Sequence, residues 1–98
     1  MNRKEYLSTA EDVICKQRPD VHGHPEDAFQ LVADYWTTFL AKKFDIPTRL
    51  AAADVAMMMA LFKTARWQMN PRHSDNIVDN IGYLALAGEL TDGEDRLT

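Results

Sequence analysis

Acidic and amide side chains recur at helical spacing in the last third of the chain. Asp75 and Asp79 lie four residues apart, and Asn76 lies three residues before Asp79. Residues three and four apart share one face of an α-helix, so these carboxylate and amide oxygens would be neighbours. Such oxygens are the ligands that Mg²⁺ and Ca²⁺ prefer in proteins. The spacing therefore indicates either a divalent-cation site or an ordinary solvated helix face.

A third carboxylate and two basic side chains lie in the stretch before this one. Asp54 stands near the start of a run rich in Ala, Met and Leu, and Lys63 and Arg66 stand one turn apart near its end. Arg binds phosphate oxygens as a bidentate fork and Lys binds them as a point charge. On a helical wheel Asp54 lies roughly opposite Lys63. Either a second subunit completes a shared site, or the basic residues pair with the acids of the next helix.

A longer pattern runs from about Arg18 to Leu90 and comprises His22-Gly23-His24-Pro25, Phe29, Tyr35-Trp36, Asp54-Val55, Met58, Lys63-x-x-Arg66 and His73-x-Asp75-Asn76-x-x-Asp79-x-x-Gly82-Tyr83. Its combined spacing resembles a group of small phage and prophage proteins of unassigned function. More distantly, a carboxylate on one helix and an acidic motif on the next resemble the all-α NTP pyrophosphohydrolases typified by MazG and the dimeric dUTPases.

The MazG-like resemblance implies a helical bundle that holds Mg²⁺ against the phosphates of a nucleotide. Asp54 and Asp79 would then be catalytic, and together with Asp75 they would be the metal ligands. A nearby carboxylate would orient a metal-bound water of lowered pKa for attack. The expected ligand is a nucleotide or a small phosphorylated molecule, and the expected substrate-binding residues are Lys63, Arg66, Asn76 and Tyr83.

The chain departs from the MazG-like acidic motifs at two places. Asn76-x-x-Asp79 has an amide in place of the first acid, and Ala53-Asp54-x-x-Met57 keeps one acid. Another registration uses Glu26-Asp27-x-x-Gln30, so whether Glu26, Asp27 or Asp34 joins the site stays open. The first hypothesis is a MazG-like, Mg²⁺-dependent NTP or dNTP pyrophosphohydrolase, or a nucleotide-binding phage protein. The alternative is a non-catalytic phage protein that binds a host protein or sequesters a nucleotide through the same bundle.

Four helices are predicted to position these residues. Apolar residues at spacings of three and four predict helices over about 3–16, 25–43, 51–69 and 75–89. Pro25 and Ser74 are start signals, and residues 17–24 are predicted to be a loop. The chain is therefore predicted to be a single all-α domain over 1–98, a four-helix bundle with a frayed tail at 91–98. The helix over 51–69 is apolar on nearly all sides, so it is predicted to be the central helix.

Composition limits the class of partner. The net charge of −4 argues against binding to duplex nucleic acid, whose affinity comes mainly from Lys and Arg. No apolar run approaches the roughly 20 residues of a membrane-spanning helix. Cys15 is the single cysteine, which suits a reducing cytoplasm, and its apolar neighbours predict that it packs inside. The apolar third helix predicts a homo-oligomer, because four short helices would not cover its surface.

Overall fold

Four helices make up most of the described chain. The computed structural model describes residues 1–16 and 25–97, without the side chains of residues 25, 26 and 94–97. The loop predicted for residues 17–24 lies outside the described residues. In chain order the helices are α1 (Arg3–Lys16), α2 (Pro25–Phe44), α3 (Ala52–Met69) and α4 (Asp75–Leu97). The all-α prediction is confirmed, and no residue within the described ranges forms a strand.

A capping interaction sets the start of α1. Asn2 Oδ1 accepts the backbone N–H of Glu5 at 2.9 Å, and Glu5 Oε1 accepts the N–H of Asn2 at 3.3 Å. This reciprocal pair is a capping box, which satisfies two N–H groups that the helix itself leaves free. Helix α4 begins at Asp75, directly after Ser74, as the sequence predicts.

The end of α4 lies further along the chain than the sequence predicts. The helix continues to Leu97 instead of ending near residue 89. The polar residues of 91–98 suggested a frayed tail, but polar residues are compatible with a helix and a glycine costs a helix only about 1 kcal/mol. Within this part of α4, Thr91 Oγ1 donates to the carbonyl of Ala87 at 2.8 Å, one turn earlier.

A left-handed residue ends α2 and begins its connection to α3. Asp45 has φ of 52°, and its N–H donates to the carbonyl of Ala41 at 2.9 Å. Five residues later, the N–H of Leu50 donates to Thr37 Oγ1 at 2.8 Å. The connection is thereby tied back to α2 just before α3 begins.

Helices α3 and α4 form the central pair of the bundle. Helix α4 packs against both α1 and α3, and Tyr83 of α4 also contacts Phe29 of α2. Gly82 faces Ile14 of α1, and a Cβ there would make an ordinary contact of 3.4 Å with the Cβ of Ile14. Helix α3 packs mainly against α2 and α4, so its far side has no neighbouring helix among the described residues. The central position predicted for α3 is confirmed, but the prediction that other helices enclose it on nearly all sides is wrong.

The core is built from small side chains. The buried hydrophobic residues are Ala10, Ala33, Ala52, Ala53, Val55, Ala56, Ala60, Val78, Leu86 and Ala87, and Val55 is the largest fully buried side chain. Alanine lets helices pack closely but removes little apolar area from water. Larger residues border this core, among them Ile14, Phe29 and Leu90.

Many large apolar side chains lie on the outside of the bundle. The α3 outer face consists of Met57, Met58, Leu61 and Phe62, which are between 39% and 63% exposed. Leu31, Tyr35 and Phe39 form a second exposed stripe along α2. Cys15 is also exposed, so the prediction that it packs inside is wrong. Across the described helices, none is both long enough and apolar enough to span a bilayer.

Candidate functional site

Polar side chains of α3 and α4 meet along one strip between the two helices. We call this strip the polar seam, and it consists of Lys63, Thr64, Asn76, Asp79 and Asn80. Asn76, Asp79 and Asn80 share a face of α4 because they lie at positions i, i+3 and i+4. The sequence correctly grouped these residues on one face. That face points towards α3 and is neither a solvated surface nor an open cation site.

Lys63 and Asp79 form the central contact of the polar seam. Lys63 Nζ lies 2.9 Å from Asp79 Oδ2, and the two side chains are 17% and 31% exposed. Partial burial strengthens the Coulomb attraction but also removes hydration from both charges. The sequence left open whether Lys63 belongs to a site completed by a second subunit or pairs with an acid of the next helix. The structure shows the pair with Asp79 of α4.

Thr64 and Asn80 form the second contact of the polar seam. Asn80 Nδ2 donates to Thr64 Oγ1 at 2.8 Å, and this hydroxyl donates in turn to the carbonyl of Ala60 at 3.0 Å. Asn80 Oδ1 is buried and has no hydrogen-bond partner. A buried amide oxygen without a donor is unfavourable, so this half of the side chain costs stability. Thr64 was not predicted as a site residue, although its position beside Lys63 was a usable signal.

Asn76 and Tyr83 are the two residues of α4 that were expected to bind substrate. Asn76 is 3% exposed, which makes it the most buried polar residue described. Tyr83 is half-buried, and its ring centroid lies 6.0 Å from that of Phe29 at an interplanar angle of 34°. This tilted contact links α4 to α2 and contributes packing energy. The role predicted for Asn76 and Tyr83 in substrate binding stays a prediction.

Arg66 lies on the exposed surface of α3. Its guanidinium carbon is 5.7 Å from the centroid of the Phe62 ring, a cation–π distance. Phe62 belongs to the α3 outer face, so Arg66 flanks that face. Although Arg66 follows Lys63 by one turn, the two residues have different neighbours in the bundle.

Asp54 has a structural role at the start of α3. Its Oδ2 accepts the N–H of Ala51 at 2.8 Å, and its side chain is exposed. This is half of a capping box, because Ala51 has no side-chain acceptor to complete the other half. Asp54 also lies near the positive end of the α3 dipole, which favours a carboxylate there. The wheel placed Asp54 opposite Lys63, and the structure has the same arrangement.

The three acids that were expected to bind Mg²⁺ do not form one group. Asp75 is largely exposed, and its Oδ2 lies 3.7 Å from Nε2 of His73. Asp79 is paired with Lys63 near the C-terminal end of α3, whereas Asp54 caps the N-terminal end of the same helix. Over residues 1–16 and 25–97 as described, no three His, Cys, Asp or Glu side chains are close enough to hold one metal ion. The geometry therefore does not fit a shared Mg²⁺ ion, and Mg²⁺ binding stays a prediction from the resemblance.

The acids of α2 were left open as further site members. Asp27 and Asp34 are both exposed, and Asp34 Oδ1 accepts a hydrogen bond from Gln30 Nε2 at 3.2 Å. This contact joins neighbouring turns of one helix on its outer side. Glu26 begins the same helix, but its side chain lies outside the description, as do His22 and His24.

Sequence comparison identifies one matching family and two related phage proteins. The family described as "Domain of unknown function (DUF6378)" matches residues 5–91. The Gene 55 protein of Mycobacterium phage L5 is 32% identical over 90 residues, which are 92% of this chain and 54% of that protein. The Gene 55 protein of Mycobacterium phage D29 is 30% identical over 94 residues, covering 92% of this chain and 58% of the relative.

These matches cover most of this chain but only part of the relatives. The chain spans a little over half the length of the two phage proteins. No solved structure matches at a significant level. Since the family match extends over residues 5–91, the chain belongs to the DUF6378 family.

Proposed function

We propose that this chain is a non-catalytic phage protein that acts by binding another polypeptide through the α3 outer face. The single observation that supports the proposal is the exposure of Met57, Met58, Leu61 and Phe62 beside a core of small residues. Exposed apolar patches of several hundred Å² are typical of interaction sites. A hydrolase site in the polar seam has less support. Of the acids expected for it, Asp54 caps α3, Asp79 pairs with Lys63 and Asp75 is exposed to water.

The first test addresses the non-catalytic half of the proposal. Purified protein is incubated with a panel of NTPs and dNTPs in the presence of Mg²⁺ or Mn²⁺, and pyrophosphate release is measured. We expect no release and no change of melting temperature with any nucleotide. Pyrophosphate release that disappears in Asp79→Asn but not in Asp92→Asn would contradict the proposal and restore the MazG-like hypothesis. Asp92 is a suitable control because it is exposed on α4, away from the polar seam.

The second test addresses the binding half of the proposal. A photoreactive phenylalanine analogue is placed at Leu61 in one variant and at Glu89 in another, since both positions are exposed. After illumination in cells that express each variant, adducts are separated and identified by mass spectrometry. We expect one defined polypeptide to be crosslinked at position 61 and none at position 89. An equal pattern at both positions would show that the α3 outer face is not a binding surface.

A further inference from the structure

We propose that the polypeptide bound at the α3 outer face is a second copy of this chain. The two α3 helices would lie antiparallel across a two-fold axis that crosses them at the level of residue 60. This inference rests on the proposed function, because it names the occupant of the same face. In such a symmetric interface each residue i contacts a residue j of the other copy, and j contacts i in return.

The α3 outer face is continuous along its helix. Met57 and Leu61 lie one turn apart, as do Met58 and Phe62. At about 100° per residue, Met57, Met58 and Leu61 lie opposite the buried residues Ala52, Ala56 and Ala60, and Phe62 borders them. A neighbouring helix could therefore contact these residues from the exposed side of α3. The helix has 18 residues and is about 27 Å long at 1.5 Å per residue, which is long enough for a helix-to-helix interface.

The exposed area suits a small dimer interface. The four side chains of the α3 outer face together expose the equivalent of about two large hydrophobic residues, or roughly 400 Å². A standard interface buries about 800 Å² on each partner, and about 65% of a homodimer interface is apolar. The face therefore provides most of the apolar area that a small homodimer requires. Flanking polar residues such as Gln68 would contribute the remaining area of the interface.

Charge complementarity favours an antiparallel pairing of two copies. Asp54 lies at one end of the α3 outer face, and Arg66 flanks the other end. An antiparallel pair centred on residue 60 brings each Asp54 opposite Arg66 of the other copy, so two such contacts form. The same centre brings Met58 opposite Phe62. Antiparallel helices also align their dipoles favourably, whereas a parallel pair would bring like charges together.

The exposed stripe of α2 is less suited to self-pairing. Its middle residue is Tyr35, and Asp34 precedes it on the exposed side of the helix. An antiparallel pair centred on Tyr35 would bring the two copies of Asp34 close together near the axis. Like charges at that distance repel and lose hydration on burial. The α3 outer face, in contrast, has charged residues only at its ends.

Cysteine crosslinking tests the pairing and its direction. In a Cys15→Ser background, Leu61→Cys and Ala65→Cys are compared under a mild oxidant on a non-reducing gel. In the proposed dimer, the two copies of position 61 are offset by about 3 Å along the helix axis, and the two copies of position 65 by about 15 Å. A disulfide needs Cα atoms within about 7 Å. We expect rapid dimer crosslinking for Leu61→Cys and little for Ala65→Cys, whereas equal crosslinking would overturn the antiparallel arrangement.

Sedimentation of full-length variants tests whether this face holds the dimer. Leu61 and Phe39 are both 63% exposed, so Leu61→Glu and Phe39→Glu place a charge at equally open positions. We expect wild type and Phe39→Glu to be dimers and Leu61→Glu to be at least tenfold weaker in dimerisation, with unchanged helical circular dichroism. A monomeric wild type, or a dimer broken only by Phe39→Glu, would overturn the inference. The proposed function would survive a monomeric wild type if Leu61 still crosslinks to a different polypeptide, and it would fail if position 61 forms no adduct.

Discussion

Lys63 and Asp79 join the two most extensively packed helices through an ion pair, with Nζ and Oδ2 2.9 Å apart. Both residues were candidates for ligand chemistry, one as a phosphate contact and the other as a metal ligand. In the bundle the two charged groups pair with each other, and both side chains are largely buried. The pair links α3 to α4.

Removing one member of the Lys63–Asp79 pair should cost more than removing both. Lys63→Met leaves the partly buried carboxylate without its partner, so we expect the free energy of unfolding to fall by about 1–3 kcal/mol. The double variant Lys63→Met with Asp79→Leu should lose less than the single variant. Urea denaturation of the four proteins gives the coupling energy, and Lys42→Met on the exposed surface of α2 is the control. A coupling near zero would contradict the structural role of the pair.

The Thr64–Asn80 contact should show the same asymmetry. Thr64→Val removes the acceptor of Asn80 Nδ2, and a second unpaired group beside the buried Oδ1 should destabilise the bundle by about 1–2 kcal/mol. Adding Asn80→Leu removes both unsatisfied atoms and should recover most of that loss. Thermal unfolding followed by circular dichroism measures both changes. If the double variant is no more stable than Thr64→Val alone, the assignment of Asn80 Oδ1 as an unpaired atom is incorrect.

Asp54 should behave as a helix cap in the absence of a partner ion. Asp54→Ala should lower stability by about 1 kcal/mol, because the N–H of Ala51 loses its acceptor. Asp54→Glu keeps a carboxylate at the third helical position and should lose little. Melting curves of all three proteins with and without millimolar Mg²⁺ distinguish capping from metal binding. A melting temperature that rises with Mg²⁺ in the wild type but not in Asp54→Ala would indicate a metal ligand.

Asp45→Gly should stabilise the end of α2. The φ of 52° at Asp45 is left-handed, a conformation that glycine adopts without a Cβ penalty. We expect a gain of about 0.5–1 kcal/mol for Asp45→Gly and a loss for Asp45→Val, whose branched side chain disfavours this conformation. Chemical denaturation measures both. Pro47→Ala in the same connection serves as a comparison, because it changes no left-handed residue.

The helix boundaries could be predicted from the sequence because their signals are local. Pro25 and the Ser74-Asp75 pair mark helix starts through the groups that the first turn leaves unpaired, and the helices begin there. The end of α4 was missed because the glycines at 88 and 93 weaken a helix without ending it. Helix propensity therefore predicts which segments are helical, but it predicts the residue at which each helix ends less accurately.

The orientation of the helices could not be predicted in the same way. A wheel shows that Asn76, Asp79 and Asn80 share a face, but it does not show whether that face meets water or another helix. The apolar composition of α3 suggested burial on all sides, whereas most of the burial falls to its alanines and Val55. Which face turns inward depends on the sum of contacts with α1, α2 and α4, and no single segment contains that information.

The small size of the buried residues links the folding of this protein to its abundance. With Val55 as the largest fully buried side chain, a single copy gains little hydrophobic free energy on folding. If copies associate, their stability rises with protein concentration by mass action. Below the concentration at which copies pair, chains would then open more often and be degraded first. Proteolysis would in this way remove the protein while it is scarce and spare it once it accumulates as the dimer.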